Sequence, residues 1–138
     1  MKENEFKEML FDASCVMMAC DGSIDKSEIS KLKELAKTST YFKNLNSDSR
    51  LQKFKDKVDI DLNKTVEEMI KQIKDSLLEP MQELILLEVL LIMVYADVKI
   101  HPNEIEFIQA IRDSLDIDDT TITNRFGEID VLISKNEM

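Results

Sequence analysis

The stretch Ala19-Cys20-Asp21-Gly22-Ser23-Ile24-Asp25-Lys26-Ser27-Glu28 has a counterpart in Tyr95-Ala96-Asp97-Val98-Lys99-Ile100-His101-Pro102-Asn103-Glu104. The shift of 76 positions that lays Asp21 on Asp97 also superposes Ile24, Glu28, Ile29, Leu32 and Leu35 on Ile100, Glu104, Ile105, Ile108 and Ile111. Each copy reads as an apolar helix with an acid at its end, a short turn around an isoleucine, and a glutamate in the first turn of the next helix. Self-similarity at a fixed separation marks a repeated supersecondary unit. Here the unit is a helical hairpin, present twice.

Working outward, helical periodicity covers most of the chain. Phe6, Met9, Leu10, Ala13, Val16, Met17 and Cys20 recur at i, i+3, i+4, i+7 spacing and predict a first helix with one apolar stripe, stopping near Asp21-Gly22. Asp25 and Glu28 read as a capping pair that opens a second helix along Ile29, Leu32, Leu35 and Ala36. Between Thr38 and Asn63 the clustered Ser, Thr, Asn and Asp predict loops around a short helix carrying Leu51, Phe54 and Val58. Thr65 with Glu68 forms another capping-box pattern, ahead of a face made by Val66, Met69, Ile70, Ile73 and Leu77. Pro80 suits the first turn of a helix through the apolar run Leu84 to Ala96, which is expected to be the most buried of all. Ile105, Ile108, Ile111 and Leu115 line a further helix, and Ile122, Phe126, Ile129 and Leu132 a last one containing Gly127. The expectation is an all-α, single compact domain over residues 1–138, with about seven helices built on the duplicated hairpin.

Composition supports this reading and narrows function. Only 2 Gly and 2 Pro occur in 138 residues, too few punctuators for a fold of many tight β-turns. The net charge of −10 repels phosphate backbones and anionic bilayers, so nucleic-acid binding is disfavoured. Even the longest apolar run is interrupted by Glu88 and falls short of the ~20 residues of a membrane span. Cys15 and Cys20 on one helix would lie roughly 8 Å apart, beyond disulfide reach, which fits a reduced, cytoplasmic chain. The acidic start Met1-Lys2-Glu3-Asn4-Glu5 lacks the basic, then apolar, pattern of an export signal.

The paired hairpins resemble the TerB family, the helical domain named for bacterial tellurite resistance, whose mark is two hairpins with an Ala-Asp-Gly turn followed by a Glu. The resemblance covers most of the chain and extends to Leu115-Asp116-Ile117 after the second hairpin. It implies a compact, non-enzymatic helical module linked to stress responses, with a divalent-cation site built from the repeated acids. Two departures make the turns unequal. Val98 stands where the first copy has Gly22, and a β-branched residue does not take the φ > 0 open to glycine. His101 replaces Asp25, and it caps less well.

The candidate metal ligands are Asp21, Asp25, Glu28, Asp97 and Glu104. Asp25, Glu28 and Glu104 sit at helix N-termini, where a carboxylate satisfies free N–H groups and the macrodipole for roughly 0.3–1 kcal/mol without any metal. Asp21 and Asp97 end helices, where the dipole disfavours an acid. Either an Asx-type turn or a cation between each aspartate and the following glutamate compensates them. Oxygen-only ligands favour Ca²⁺ or Mg²⁺. The EF-hand is excluded, because counting from Asp21 puts Lys26 where that loop needs glycine and Leu32 where it needs glutamate. Cys15, Met17, Met18 and Cys20 wrap around a helix and read as core filling. The chain has a single His and no phosphate loop, nucleophile elbow or H-E-x-x-H helix, so nothing in it argues for an enzyme. The other functional class is a metal-free adaptor whose acidic face docks a protein partner, either a membrane-complex subunit or a basic surface.

Overall fold

The computed structural model describes residues 2–20, 26–38, 42, 47–95 and 102–127. Among them are seven helices and no strand: α1 (Glu3–Ala19), α2 (Lys26–Thr38), α3 (Ser47–Ile60), α4 (Leu62–Asp75), α5 (Pro80–Val94), α6 (Pro102–Ser114) and α7 (Asp119–Phe126). The all-α expectation holds. The two turns that define the repeat, at residues 21–25 and 96–101, lie outside the described residues, and so do Ile129 and Leu132.

The N-terminal helix, not the apolar run through Leu84, is the axis of the fold. Every residue from Met9 to Cys20 is buried, including the polar Asp12 and Ser14. A single apolar stripe is therefore the wrong description of α1. Helices α2, α3, α4, α5 and α6 all pack against it, so its circumference is covered from several sides. The two polar residues are buried at little cost because each has a partner. Ser14 Oγ donates to the Leu10 carbonyl at 2.9 Å, and the Asp12 carboxylate receives a two-pronged Arg50 guanidinium from α3. Cys15, Met17, Met18 and Cys20 are all buried, as core filling requires.

The partner of α1 is α5. Pro80 occupies its first turn, and Glu79 and Gln82 form a reciprocal capping box. Leu86, Leu87, Val89, Leu90, Met93 and Val94 are fully buried, whereas Leu84, Ile85 and Ile92 are half-exposed. Burying such side chains contributes about 1.5–3 kcal/mol each. Phe42 reaches this core from outside the helices and meets Phe11 edge-on, with ring centroids 5.5 Å apart.

Three element boundaries differ from the periodicity. Asp61, not Thr65, caps α4, accepting the Lys64 N–H at 3.1 Å. Thr65 is buried one turn further in, where its hydroxyl bonds back to the Asp61 carbonyl at 2.8 Å. Leu77 is not on the buried face of α4. That helix ends at Asp75, and Leu77 follows it at φ 54°, left-handed and 85% exposed. Gly127 does not lie inside α7 but ends it, at φ 78°. At Leu77 and Gly127 the expected helix continued past the place where the observed one stops, whereas at α4 the helix begins one turn before the expected cap. The segment carrying Leu51, Phe54 and Val58 is also longer than a short helix, at 14 residues.

Candidate divalent-cation site

The described part of the candidate site is the junction where α1 ends and α6 begins. Asn103, in the first turn of α6, donates from its side-chain amide to the carbonyl of Cys20 at 3.1 Å, across 83 positions of sequence. Cys20 is the residue before Asp21, and Asn103 the residue before Glu104. The exit of the first hairpin's leading helix is thus pinned to the entry of the second hairpin's trailing helix. A carbonyl at a helix C-terminus has no partner within its own helix, so the amide satisfies a group that would otherwise need water.

Of the five candidate ligands, only part is described. Asp21, Asp25 and Asp97 lie outside the described residues. Glu28 is placed in the first turn of α2, and its side chain is outside the description. Glu104, in the first turn of α6, is 1% exposed. Its burial goes beyond a surface cap, although the N-terminal half-charge of α6 favours a carboxylate there. No group of three or more His, Cys, Asp or Glu side chains that could hold a metal occurs among the described residues.

Two other buried acids were not legible as special in the sequence. Glu83, on the first turn of α5, is buried and accepts the Asp116 N–H at 2.8 Å, so it closes the connection between α6 and α7. Burial pushes its carboxyl above the usual range, with the amides of Asp116 and Ile117 opposing the shift. Asp12 is likewise raised by burial, against the lowering effect of the Arg50 fork. Arg50 itself is raised by its hydrogen bonds to Asp12. The directions agree physically: the pair holds together, but desolvation outweighs it at the acid. The thiol of Cys15, beside them in the core, is pushed up by burial and by the charge of Asp12, which leaves it a protonated, inert packing group.

Around this junction the molecule is an all-helical module without a catalytic constellation among its described residues. It belongs to the TerB family: the family description "Tellurite resistance protein TerB" matches residues 9–125, which takes in both hairpins and α7 up to Arg125. Comparison with curated proteins and with solved structures found no match.

Proposed function

We propose that the chain is a non-enzymatic TerB-type module of tellurite or stress resistance, folded as one domain over residues 1–138 and working in the cytoplasm. It binds a divalent cation, Ca²⁺ or Mg²⁺, with Asp21, Asp25, Glu28, Asp97 and Glu104 as the ligand set. One observation supports the reading above the others: the bond from Asn103 to Cys20. It tethers the residue next to Asp21 to the residue next to Glu104, which supports a shared site for acids of the two repeats. Carboxylates gathered there repel one another, and a hard cation with oxygen ligands relieves the repulsion. Family membership and the absence, among the described residues, of any helix long and apolar enough to cross a membrane are consistent with the module.

Isothermal titration of the whole chain with CaCl₂ and with MgCl₂ tests this. Saturable binding of at least one cation is expected, weakened about tenfold or more by Asp21→Asn. Absence of binding by both cations would remove the proposal.

A further inference from the structure

The groove between α4 and α6, which reaches the Cys20–Asn103 junction at one end, has the features of a docking site. It holds about 370 Å³, is open along one side, and ends against Cys20 of α1. Val66 and Ile70, at i, i+4 on α4, form one wall, and Phe107 and Ala110, at i, i+3 on α6, form the other. Val66 and Ile70 are half-exposed because the buried stripe of α4 is Thr65, Met69 and Ile73, one step round the helix. Helix α4 therefore carries a second, half-exposed apolar row beside its buried stripe. On the α6 side Ala110 is half-exposed and Phe107 is buried, so the apolar furrow beside Val66 and Ile70 is shallow at that wall, the kind of groove a third helix packs into. The only charged residues lining the furrow among those described are Glu67 and Glu106, both exposed, one from each helix.

The geometry points to an amphipathic helix of a protein partner, its apolar side chains seated between Val66, Ile70, Phe107 and Ala110 and its lysines or arginines reaching Glu67 and Glu106. This is the helix-in-groove mode, read by anchors at i, i+3, i+4 and i+7. The rim acids select the flanking charge. A second copy of this chain fits poorly, since it carries the same net −10 and would bring acid against acid. Nucleic acid is disfavoured on the same ground. None of the groove residues is a proposed metal ligand, but Cys20 and Asn103, which border the proposed cation site, line one end of the groove, so binding is measured without cation.

Fluorescence anisotropy tests it with the full chain in EDTA, which keeps the cation question out of the measurement. The probe is a fluorescein-labelled leucine–lysine peptide of about 14 residues with leucines at helical spacing. Its control has the same composition with leucine and lysine alternating, which destroys the helical face. Saturable binding of the first peptide and at least about tenfold weaker binding of the second are expected. Glu67→Lys with Glu106→Lys should weaken binding about tenfold or more, and Ala110→Trp, which fills the furrow, should do the same. Glu3→Lys with Glu5→Lys, at the far end of α1, makes the same change in net charge and should leave binding within about threefold. Circular dichroism confirms that each variant is folded. Equal weakening by the two charge-reversal pairs, equal binding of the two peptides, or no effect of Ala110→Trp would each overturn the proposal. So would concentration-dependent dimerisation abolished by Ala110→Trp, which assigns the furrow to a second copy.

Discussion

Asn103 and Cys20, 83 positions apart, are joined by one hydrogen bond from a side-chain amide to a helix-terminal carbonyl. Asn103→Ala leaves that carbonyl to water and is expected to cost about 1 kcal/mol, a typical net value for such a bond. The check is a shift of the urea midpoint at unchanged slope. No shift would mean that water replaces the amide without loss.

Asp12 and Arg50 make the strongest prediction about the core. Their bonds are 3.0 Å (Nε to Oδ1) and 2.6 Å (Nη2 to Oδ2), with the acid buried and the base half-buried. Arg50→Met strands a carboxylate beside the core and should cost about 2–4 kcal/mol at neutral pH, somewhat less than for a fully buried pair because Arg50 is partly in solvent. Asp12→Leu combined with Arg50→Met should cost clearly less than the sum of the single changes, because no charge is left unpaired. Strict additivity in that double-mutant cycle would contradict the account.

Glu83 gives the pH dependence. Its folded carboxyl is raised above the unfolded one, so between the two values the native state holds more protons. Stability from this group is therefore greatest below the ordinary carboxylate range near ~4 and falls as pH rises through the folded value. Glu83→Gln removes the titration, so the difference between wild type and variant should change with pH across that window and become flat above it. Urea unfolding from pH 4 upward measures this. Glu83→Ala, by contrast, leaves the Asp116 N–H without its acceptor and should cost about 1–3 kcal/mol at neutral pH.

Two residues at positive φ give opposite expectations. Leu77 stands at φ 54° with its side chain in solvent, so Leu77→Gly relieves backbone strain without losing packing. A gain of about 0.5–1 kcal/mol is expected, since glycine's freer unfolded chain takes back part of the relief. Gly127, at φ 78°, has open space where an alanine methyl would sit, and Gly127→Ala should lose about 1–2 kcal/mol through backbone strain alone. Thermal or urea unfolding of both variants checks the pair.

How far the sequence was legible follows from the kind of interaction involved. The repeat exposed both hairpins because equivalent residues recur in order, and Pro80 marked the start of α5 because proline suits that one helical position. Helix ends were less legible. Leu77 and Thr65 kept the apolar or capping pattern, yet tertiary packing and local hydroxyl bonding decided their roles. The enclosure of α1 was hidden because Asp12 and Ser14 look like solvent-facing polar positions until their partners are known. Arg50, Asn103 and Glu83 act across 38, 83 and 33 positions, and no local pattern encodes such pairings. The candidate acids were visible as a repeated motif. The bond from Asn103 to Cys20, which supports a shared site for them, carried no signal of its own.

The most direct test of the central claim is the melting temperature of the wild type and of the Asp21→Asn, Asp97→Asn double variant, each in EDTA and in saturating Ca²⁺ or Mg²⁺. A cation at about 100 times its Kd stabilises by about 2.7 kcal/mol, or roughly 10 °C for a chain of this size. The account predicts that rise in the wild type and its loss in the variant, with the variant in EDTA as stable as the wild type or more so. No cation-dependent rise in the wild type, together with a variant that melts lower in EDTA, would contradict it and make the two aspartates turn-forming residues.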